Sequence, residues 1–287
     1  MEEFLHWFQG KMVTPTWFGW FHILWLCLMV AECVTIYIFR KKMSKKTINL
    51  IILCTGIALI IFEIYKQIVM SFRYNGGNGN STWRYQWYSF PFQFCSTPMY
   101  LMVLAGILRK GKTYDCIMSY LATFALFGGL VVMVYPGDVF TKPIGINIQT
   151  MFWHSSMFSI GFLILATRSV ELNLKTILKA SIVFCIMLAL ALMMNIAWHY
   201  GGIDETFNMF YISPYYKCPL ALLNIIYDKV PYIIFLAIYI IGFMLAATLM
   251  MATAILLDKL EKSLHTRKMF PDEIAAQKAI EIIRREL

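Results

Sequence analysis

Charged side chains are scarce in this chain. Asp, Glu, Lys and Arg make up only 14% of its 287 residues, whereas apolar and aromatic side chains make up 60%. A water-soluble globule of this size needs much more polar material to cover its surface. The composition therefore excludes a soluble protein and indicates an integral membrane protein.

The short signatures of several enzyme classes are also missing. The sequence has no HExxH, GxSxG or P-loop pattern, and no group of carboxylates is spaced to hold a metal ion. Its seven cysteines include no CxxC pair, which argues against a zinc cluster. Only Cys218 lies clearly in a predicted outer loop, so a disulfide framework is not expected either. We expect no metal and no cofactor.

Long apolar stretches are what the sequence does contain. Each is near or above the length that a helix rising 1.5 Å per residue needs to cross roughly 30 Å of hydrocarbon. The predicted fold is an all-α polytopic membrane protein, a seven-transmembrane-helix bundle. The predicted spans are residues 17–39, 47–72, 91–108, 114–135, 148–167, 176–199 and 231–257, between an outer interfacial lead (1–16) and a cytoplasmic amphipathic tail (258–287).

The distribution of basic residues predicts the orientation of this bundle. Most of the 25 Lys and Arg lie in alternate loops and in the tail, so the positive-inside bias puts the N-terminus outside and the C-terminus in the cytoplasm. The net charge of +9 then reflects topology and attraction of the basic loops and tail to an anionic inner leaflet. We expect no nucleic-acid partner, and a plasma-membrane location if the protein is bacterial.

A thiol and an imidazole are predicted at similar depth near the outer leaflet. Cys95 lies about four residues after Pro91, and His154 about seven residues after Asn147, in two spans that both run inward. Pro98 is expected to bend the first of these spans near Cys95. A histidine that takes the proton of a cysteine creates a thiolate able to hold an acyl group as a thioester. The competing interpretation is a buried cysteine that acts as a small apolar side chain.

Further polar residues are predicted near the same outer level. They are candidates for stabilising an oxyanion or binding a lipid headgroup, and the alternative for each is a hydrogen bond within the bundle. These residues are Gln93, Asn195, His199, Asn208 and His22.

Glu63 and Lys66 are three residues apart in the second predicted span. This spacing puts them on one helix face, where they can form an ion pair. We interpret them as a structural ion pair, with a substrate headgroup contact as the alternative.

Several of these residues also resemble the landmarks of a known family. The stretch Pro91-Phe92-Gln93-Phe94-Cys95 resembles the Pro-Leu-x-Leu-Cys signature of the YwaF-like integral membrane family. Later landmarks are similar too: His154 after an outer loop that contains proline, Asn195 late in the sixth span, and Phe207-Asn208-Met209-Phe210 followed by Pro214.

The resemblance implies a function. Proteins similar to this family include an animal transmembrane acyltransferase that remodels ether phospholipids with a cysteine and a histidine. Carried over, Cys95 is the nucleophile and His154 the base and later the acid, with phospholipids and lysophospholipids as partners and no soluble cofactor. Phe92 and Phe207 depart from the pattern, which leaves the substrate class open.

A membrane transporter is the alternative function. Its path for a small solute or a proton would be lined by intramembrane ionisable residues. The candidates are Glu32, Glu63, Lys66, His22 and His199. The lack of an inverted repeat argues against this alternative, and a third reading as a seven-helix receptor has only the number of helices behind it.

Overall fold

The chain folds into a bundle of long apolar helices. The computed structural model describes residues 1–76, 79, 81–137, 139–202, 205–267 and 282–284. Within this part, six helical segments are long and apolar enough to cross a membrane: Trp20–Lys42, Lys45–Ser71, Lys112–Val134, Ile144–Ala166, Leu174–Tyr200 and Tyr232–Leu264. The protein is therefore a multi-pass membrane protein, and each of these six segments overlaps one predicted span.

The helices and strands follow one another in chain order. The helices are α1 (Glu2–Trp7), α2 (Trp20–Phe39), α3 (Lys45–Ser71), α4 (Thr97–Leu108), α5 (Lys112–Tyr120), α6 (Leu126–Val134), α7 (Ile144–Ala166), α8 (Leu174–Tyr200), α9 (Leu223–Tyr227) and α10 (Tyr232–Arg267), and the short strands β1 (Phe72–Arg73) and β2 (Thr82–Trp83) pair antiparallel. A π-helical turn, Leu121–Ala125, joins α5 to α6, so these three pieces form one continuous membrane segment.

The third predicted span differs from the others. Residues 91–108 were expected to form one long helix, but α4 begins at Thr97 and is only 12 residues long. The reason is proline: Pro98 lies in the first turn of α4, where its missing N–H costs no hydrogen bond. Pro98 thus starts the helix instead of bending it, and the chain before Thr97 follows an irregular path.

Helices α3 and α4 pack closely and antiparallel at two glycines. A Cβ atom on Gly56 would lie 2.9 Å from the backbone nitrogen of Val103, and one on Gly106 would lie 3.0 Å from the Cα of Leu53. Small residues allow such close backbone approach, which is how apolar helices gain packing energy within lipid. The two contacts fix the register between α3 and α4.

Helix α7 is the most buried of the membrane segments, and α2 and α10 are the least buried. Helix α6 crosses α7 at Gly129, where an added Cβ would lie 2.6 Å from the carbonyl oxygen of His154 and 2.7 Å from the backbone nitrogen of Phe158. The contact places α6 directly against the turn of α7 that carries His154.

The N-terminal lead is fixed to the ends of α3 and α7. The Gln9 amide donates to the carbonyls of Val69 and Phe72 at 2.9 and 2.7 Å. Lys11 forms an isolated β-bridge with Pro143, next to the start of α7. The lead therefore holds two helix ends together, while Trp7 stays exposed.

Helix α10 is longer than the predicted last span, because it continues from Tyr232 to Arg267. Its extension carries two inter-helix ion pairs, Arg40 with Glu261 and Arg168 with Asp258. Most of the predicted amphipathic tail lies outside the described residues.

Candidate functional site

Cys95 lies in the irregular turn that leads into α4. The backbone nitrogens of Ser96 and Thr97 both donate to the carbonyl of Gln93, at 2.8 and 3.1 Å, which closes the turn around Cys95. The neighbouring ring of Phe94 covers Gly128 of α6, where an added Cβ would lie only 2.8 Å from the ring. Cys95 itself is half-buried.

Trp153 joins this turn to α7. Its indole Nε1 donates to the carbonyl oxygen of Cys95 at 2.7 Å, although the two residues are 58 positions apart. Trp153 directly precedes His154, so the structure brings the two predicted site segments into contact.

His154 has one ring nitrogen fixed and the other unoccupied. Its Nδ1 lies 2.7 Å from the carbonyl oxygen of Thr150, one turn earlier in α7. A carbonyl can only accept, so Nδ1 carries the proton and Nε2 carries the lone pair of the neutral ring. Among the described residues, Nε2 has no hydrogen-bond partner, although the side chain is buried. This imidazole is held in the tautomer that a general base needs.

The thiol and the free nitrogen do not form a hydrogen bond. Within the described part of the chain, His154 Nε2 has no partner within bonding distance, Cys95 Sγ included. The structure therefore brings the two elements together without direct contact between the two reactive atoms.

His22 has both ring nitrogens occupied. Nδ1 accepts from the backbone N–H of Phe18 at 3.0 Å, so Nε2 carries the proton and donates to the carbonyl of Met133 at 2.7 Å. The side chain is fully buried. His22 thus links the start of α2 to the end of α6 by hydrogen bonds within the bundle, which was the alternative to a role in binding substrate.

Gln93 and Asn195 both form hydrogen bonds to the segment that follows α8. Asn195 donates to the carbonyl of Met209 at 3.0 Å and accepts from its N–H at 2.7 Å. Gln93 accepts from the N–H of Phe210 at 2.9 Å and donates to the carbonyl of Asn208 at 2.9 Å. Both amides thus form hydrogen bonds within the bundle, as in the alternative interpretation given above for these residues.

The segment that they hold is buried and has unusual backbone geometry. Phe210 and Tyr211 both have φ of +56°, a left-handed conformation that side chains rarely adopt. Tyr239 of α10 donates to the carbonyl of Phe210 at 2.9 Å. Hydrogen bonds from α8, from α10 and from the irregular turn before α4 therefore stabilise this strained turn.

Asn208 and His199 lie on either side of this segment. Asn208 accepts from the N–H of Ser213 at 2.9 Å and so shapes the turn. His199 lies at the exposed end of α8, where its ring stacks on Tyr215 with centroids 3.5 Å apart. Asn195 and His199 share a helix face as predicted, but only Asn195 reaches the interior.

Glu63 and Lys66 form the predicted ion pair at 2.9 Å. Gln67 joins it, because its Nε2 donates to Glu63 Oε1 at 2.6 Å and to the carbonyl of Ser89 at 2.8 Å. Two oxygen atoms here have no hydrogen-bond partner among the described residues, namely Glu63 Oε2 and Gln67 Oε1.

These two side chains line a groove of about 610 Å³ between α3 and α4. Pro91 and Met99 belong to the same lining, and they stand four residues before and after Cys95. Neither Cys95 nor His154 lines the groove. The groove thus adjoins the turn of Cys95 but does not include Cys95 or His154.

The ionisable residues of the transport alternative lie in separate places. Glu32 of α2 accepts from Ser155 and Ser159 of α7 at 3.0 and 2.6 Å. Glu63 lines the groove, whereas His22 and His199 have the contacts described above. In the described part of the chain, no three His, Cys, Asp or Glu side chains are placed to hold a metal ion. The expectation of no cofactor stays a prediction.

Comparison with known families settles the wider relationship. The family model named TMEM164 family matches residues 17–255, which is most of the chain and includes at least the greater part of each membrane segment described above. The chain belongs to the TMEM164 family. This is an integral membrane family, so the match agrees with the fold, and the YwaF-like relationship stays a prediction. Comparison of the chain with curated proteins and with solved structures gave no match.

Three residues of this TMEM164-family site were missed by the sequence reasoning. Trp153 connects the two site segments, Thr150 selects the His154 tautomer, and Gln67 extends the Glu63 cluster. A local signal existed for Gln67 and Thr150, because each lies four residues from its partner, Glu63 or His154, and so shares its helix face. No local signal existed for Trp153, whose partner is 58 positions away.

Proposed function

We propose that this protein is a membrane-embedded phospholipid acyltransferase, or transacylase, that uses Cys95 as nucleophile and His154 as base. The acyl group passes from a donor phospholipid to a lysophospholipid through a thioester on Cys95. The site lies near the outer leaflet, and both partners are membrane lipids.

The observation that carries this proposal is the state of His154. A buried imidazole nitrogen without a partner is costly, so proteins rarely keep one without a use. Its neighbour Trp153 holds the backbone of Cys95 at 2.7 Å. A base with a free lone pair thus stands next to the turn that carries a half-buried thiol. For transport the comparable observation is the unpartnered Glu63 Oε2 in the groove, but the other transport candidates lie in separate places.

The first half of the reaction loads the thiol. His154 Nε2 takes the proton of Cys95 Sγ, and the thiolate attacks the ester carbonyl of the donor lipid. The carbon–oxygen ester bond then breaks, and the leaving alkoxide takes the proton back from His154. The products are an acyl thioester on Cys95 and a lysolipid with a free hydroxyl.

The second half transfers the acyl group. His154 Nε2 takes the proton of the acceptor hydroxyl, and the alkoxide oxygen attacks the thioester carbonyl. The carbon–sulfur bond breaks, and the thiolate recovers the proton from His154. Both halves are proton-balanced and redox-neutral, so the chemistry needs no redox or soluble cofactor.

The same proposal includes seven crossings with the N-terminus outside. The end of α3 bonds to Ser89 through Gln67, and the start of α3 bonds to the start of α5 through Asn49 and Tyr114 at 2.7 Å. The chain between Ser89 and Tyr114 therefore runs alongside α3 from one end of the bundle to the other. On this basis the irregular turn plus α4 serves as the third crossing.

A covalent adduct tests the function. Purified protein incubated with phospholipid vesicles is expected to gain the mass of one acyl chain on Cys95, and hydroxylamine should remove it because it cleaves thioesters. The Cys95→Ala variant should gain no adduct and should exchange no acyl groups between lipids. Intact-protein and peptide mass spectrometry measure both results.

Cys116→Ala is the matched control, because Cys116 is half-buried like Cys95 but lies in α5. It should still form the adduct. Acyl exchange at the native rate in Cys95→Ala, with the fold intact by circular dichroism, would rule out the proposed chemistry.

A further inference from the structure

The groove between α3 and α4 contains two buried hydrogen-bond acceptors that the protein does not use. Glu63 Oε2 and Gln67 Oε1 have no partner among the described residues, and Glu63 is only 5% exposed. The two residues are one helical turn apart on α3, and both line the groove. Unused acceptors of this kind call for a ligand that donates hydrogen bonds.

The orientation of Gln67 is determined by its surroundings. Its amide contacts Glu63 Oε1 at 2.6 Å and the carbonyl oxygen of Ser89 at 2.8 Å, and both of these atoms accept. The donor nitrogen must therefore face them. This leaves the amide oxygen as a second acceptor beside the carboxylate.

The charge of the cluster indicates what kind of donor fits. Lys66 lies 2.9 Å from Glu63 Oε1 and already balances the carboxylate charge. A ligand does not need to be a cation to bind there. Uncharged hydroxyl groups supply the donors without adding a charge to a weakly polar site.

The remaining wall of the groove suits a hydrocarbon chain. Ile60, Ile64 and Ile68 line it along α3, and Tyr100 lines it from α4. Ile64 and Tyr100 are 56% and 42% exposed, so the groove opens on the side of the bundle. On a membrane segment that side faces lipid, and a chain can enter from the bilayer.

We propose that this groove binds a single-chain lipid whose glycerol carries at least one free hydroxyl, which donates to Glu63 or Gln67. A lysophospholipid has one such hydroxyl, and a monoacylglycerol has two. This inference rests on the proposed function and identifies the groove as the site of the lipid that receives the acyl group. The reason is that Pro91 and Met99, four residues before and after Cys95, both line the groove. The lipid hydroxyl that attacks the thioester would be delivered from here.

Binding is measured on the full-length protein in nanodiscs with a photoreactive, diazirine-labelled monoacylglycerol. The label should crosslink to the α3 residues of the groove, and unlabelled oleoylglycerol and oleoyl lysophosphatidylcholine should compete with it. Methyl oleate, which has no hydroxyl, should compete at least about tenfold more weakly. Comparison of oleoylglycerol with oleoyl lysophosphatidylcholine shows which lipid class the groove prefers, because the stronger competitor is the preferred ligand.

Two variants test the groove itself. Glu63→Gln replaces the free acceptor with a donor and should weaken binding about tenfold or more. Ile64→Trp fills the groove from an exposed position and should abolish crosslinking. Ile61→Trp is the matched control, because Ile61 is 62% exposed on the same helix and does not line the groove.

The outcomes separate this inference from the proposed function. Cys95→Ala should bind oleoylglycerol normally, and Ile64→Trp should still form the acyl adduct on Cys95. Equal competition by methyl oleate, or normal crosslinking in both Glu63→Gln and Ile64→Trp, would overturn the groove as a hydroxyl-lipid site. Binding without any acyl adduct would overturn the catalytic proposal alone.

Discussion

At the scale of single residues, two buried histidines differ in what the fold leaves free. His22 donates to Met133 and accepts from Phe18, so its ring has no remaining capacity. His154 donates to Thr150, and its Nε2 has no partner in the described part of the chain. Both residues were singled out from the sequence, but only the hydrogen-bond partners distinguish His22, whose ring is fully used, from His154, the proposed base.

This difference predicts opposite effects of the same substitution. His154→Gln keeps a similar side-chain size but cannot take a proton, so acyl transfer should fall roughly 100-fold or more. The thermal unfolding temperature should change little, because only one local hydrogen bond is affected. Transfer rates in proteoliposomes and unfolding in detergent measure the two effects.

His22→Gln is the control for that experiment. It should cost about 1–3 kcal/mol of stability, because Gln cannot reproduce both ring contacts. The transfer rate per folded molecule should stay near that of the native protein. The reverse pattern, with His22→Gln inactive and His154→Gln active, would contradict the assignment of His154 as the base.

At the scale of elements, the site depends on close contact between α6 and α7. Gly129 lets the backbone of α6 approach the carbonyl of His154 and the nitrogen of Phe158. The π-helical turn Leu121–Ala125 lies just before α6 and is fully buried, and such turns shift the register of the residues that follow. The position of His154 relative to the turn of Cys95 is thus fixed by helix packing.

Gly129→Ala tests this contact. The new methyl would lie 2.6 Å from the His154 carbonyl oxygen, so α6 must move, at a cost of about 1–3 kcal/mol. Unfolding temperature and acyl transfer should both decrease. Gly242→Ala in α10 is the matched control, since its methyl would meet nothing within 4 Å, and it should be neutral or stabilising by about 1 kcal/mol. Equal effects of the two substitutions would contradict the packing argument.

At the scale of the whole molecule, the short α4 decides how many times the chain crosses the membrane. If the turn before Thr97 and α4 cross together, the loop around Gly76 and the turn around Lys110 lie on opposite faces. An epitope tag inserted after Gly76 should then be accessible to antibody on intact cells, whereas one inserted after Lys110 should require permeabilisation. Accessibility of both tags from the same side would limit the bundle to six crossings.

The apolar composition predicted most of this fold. Six predicted spans correspond to long helices because hydrophobic length alone decides whether a helix can cross a bilayer. The long helix predicted for residues 91–108 was wrong, because Pro98 was interpreted as a kink within a helix, whereas in the structure it lies in the first turn of a short one. Local sequence does not say which of these two positions a proline takes.

The sequence by itself determined a membrane protein of long helices and the Glu63–Lys66 pair. These follow from hydrophobic length and helical spacing, which are properties of neighbouring residues. Only the tertiary structure decided that Trp153 holds the Cys95 turn, that His154 Nε2 has no partner among the described residues, and that the amides of Gln93 and Asn195 bind the segment after α8. The bonds of Trp153, Gln93 and Asn195 join groups from separate parts of the chain, and no local pattern encodes which backbone group such a side chain will meet.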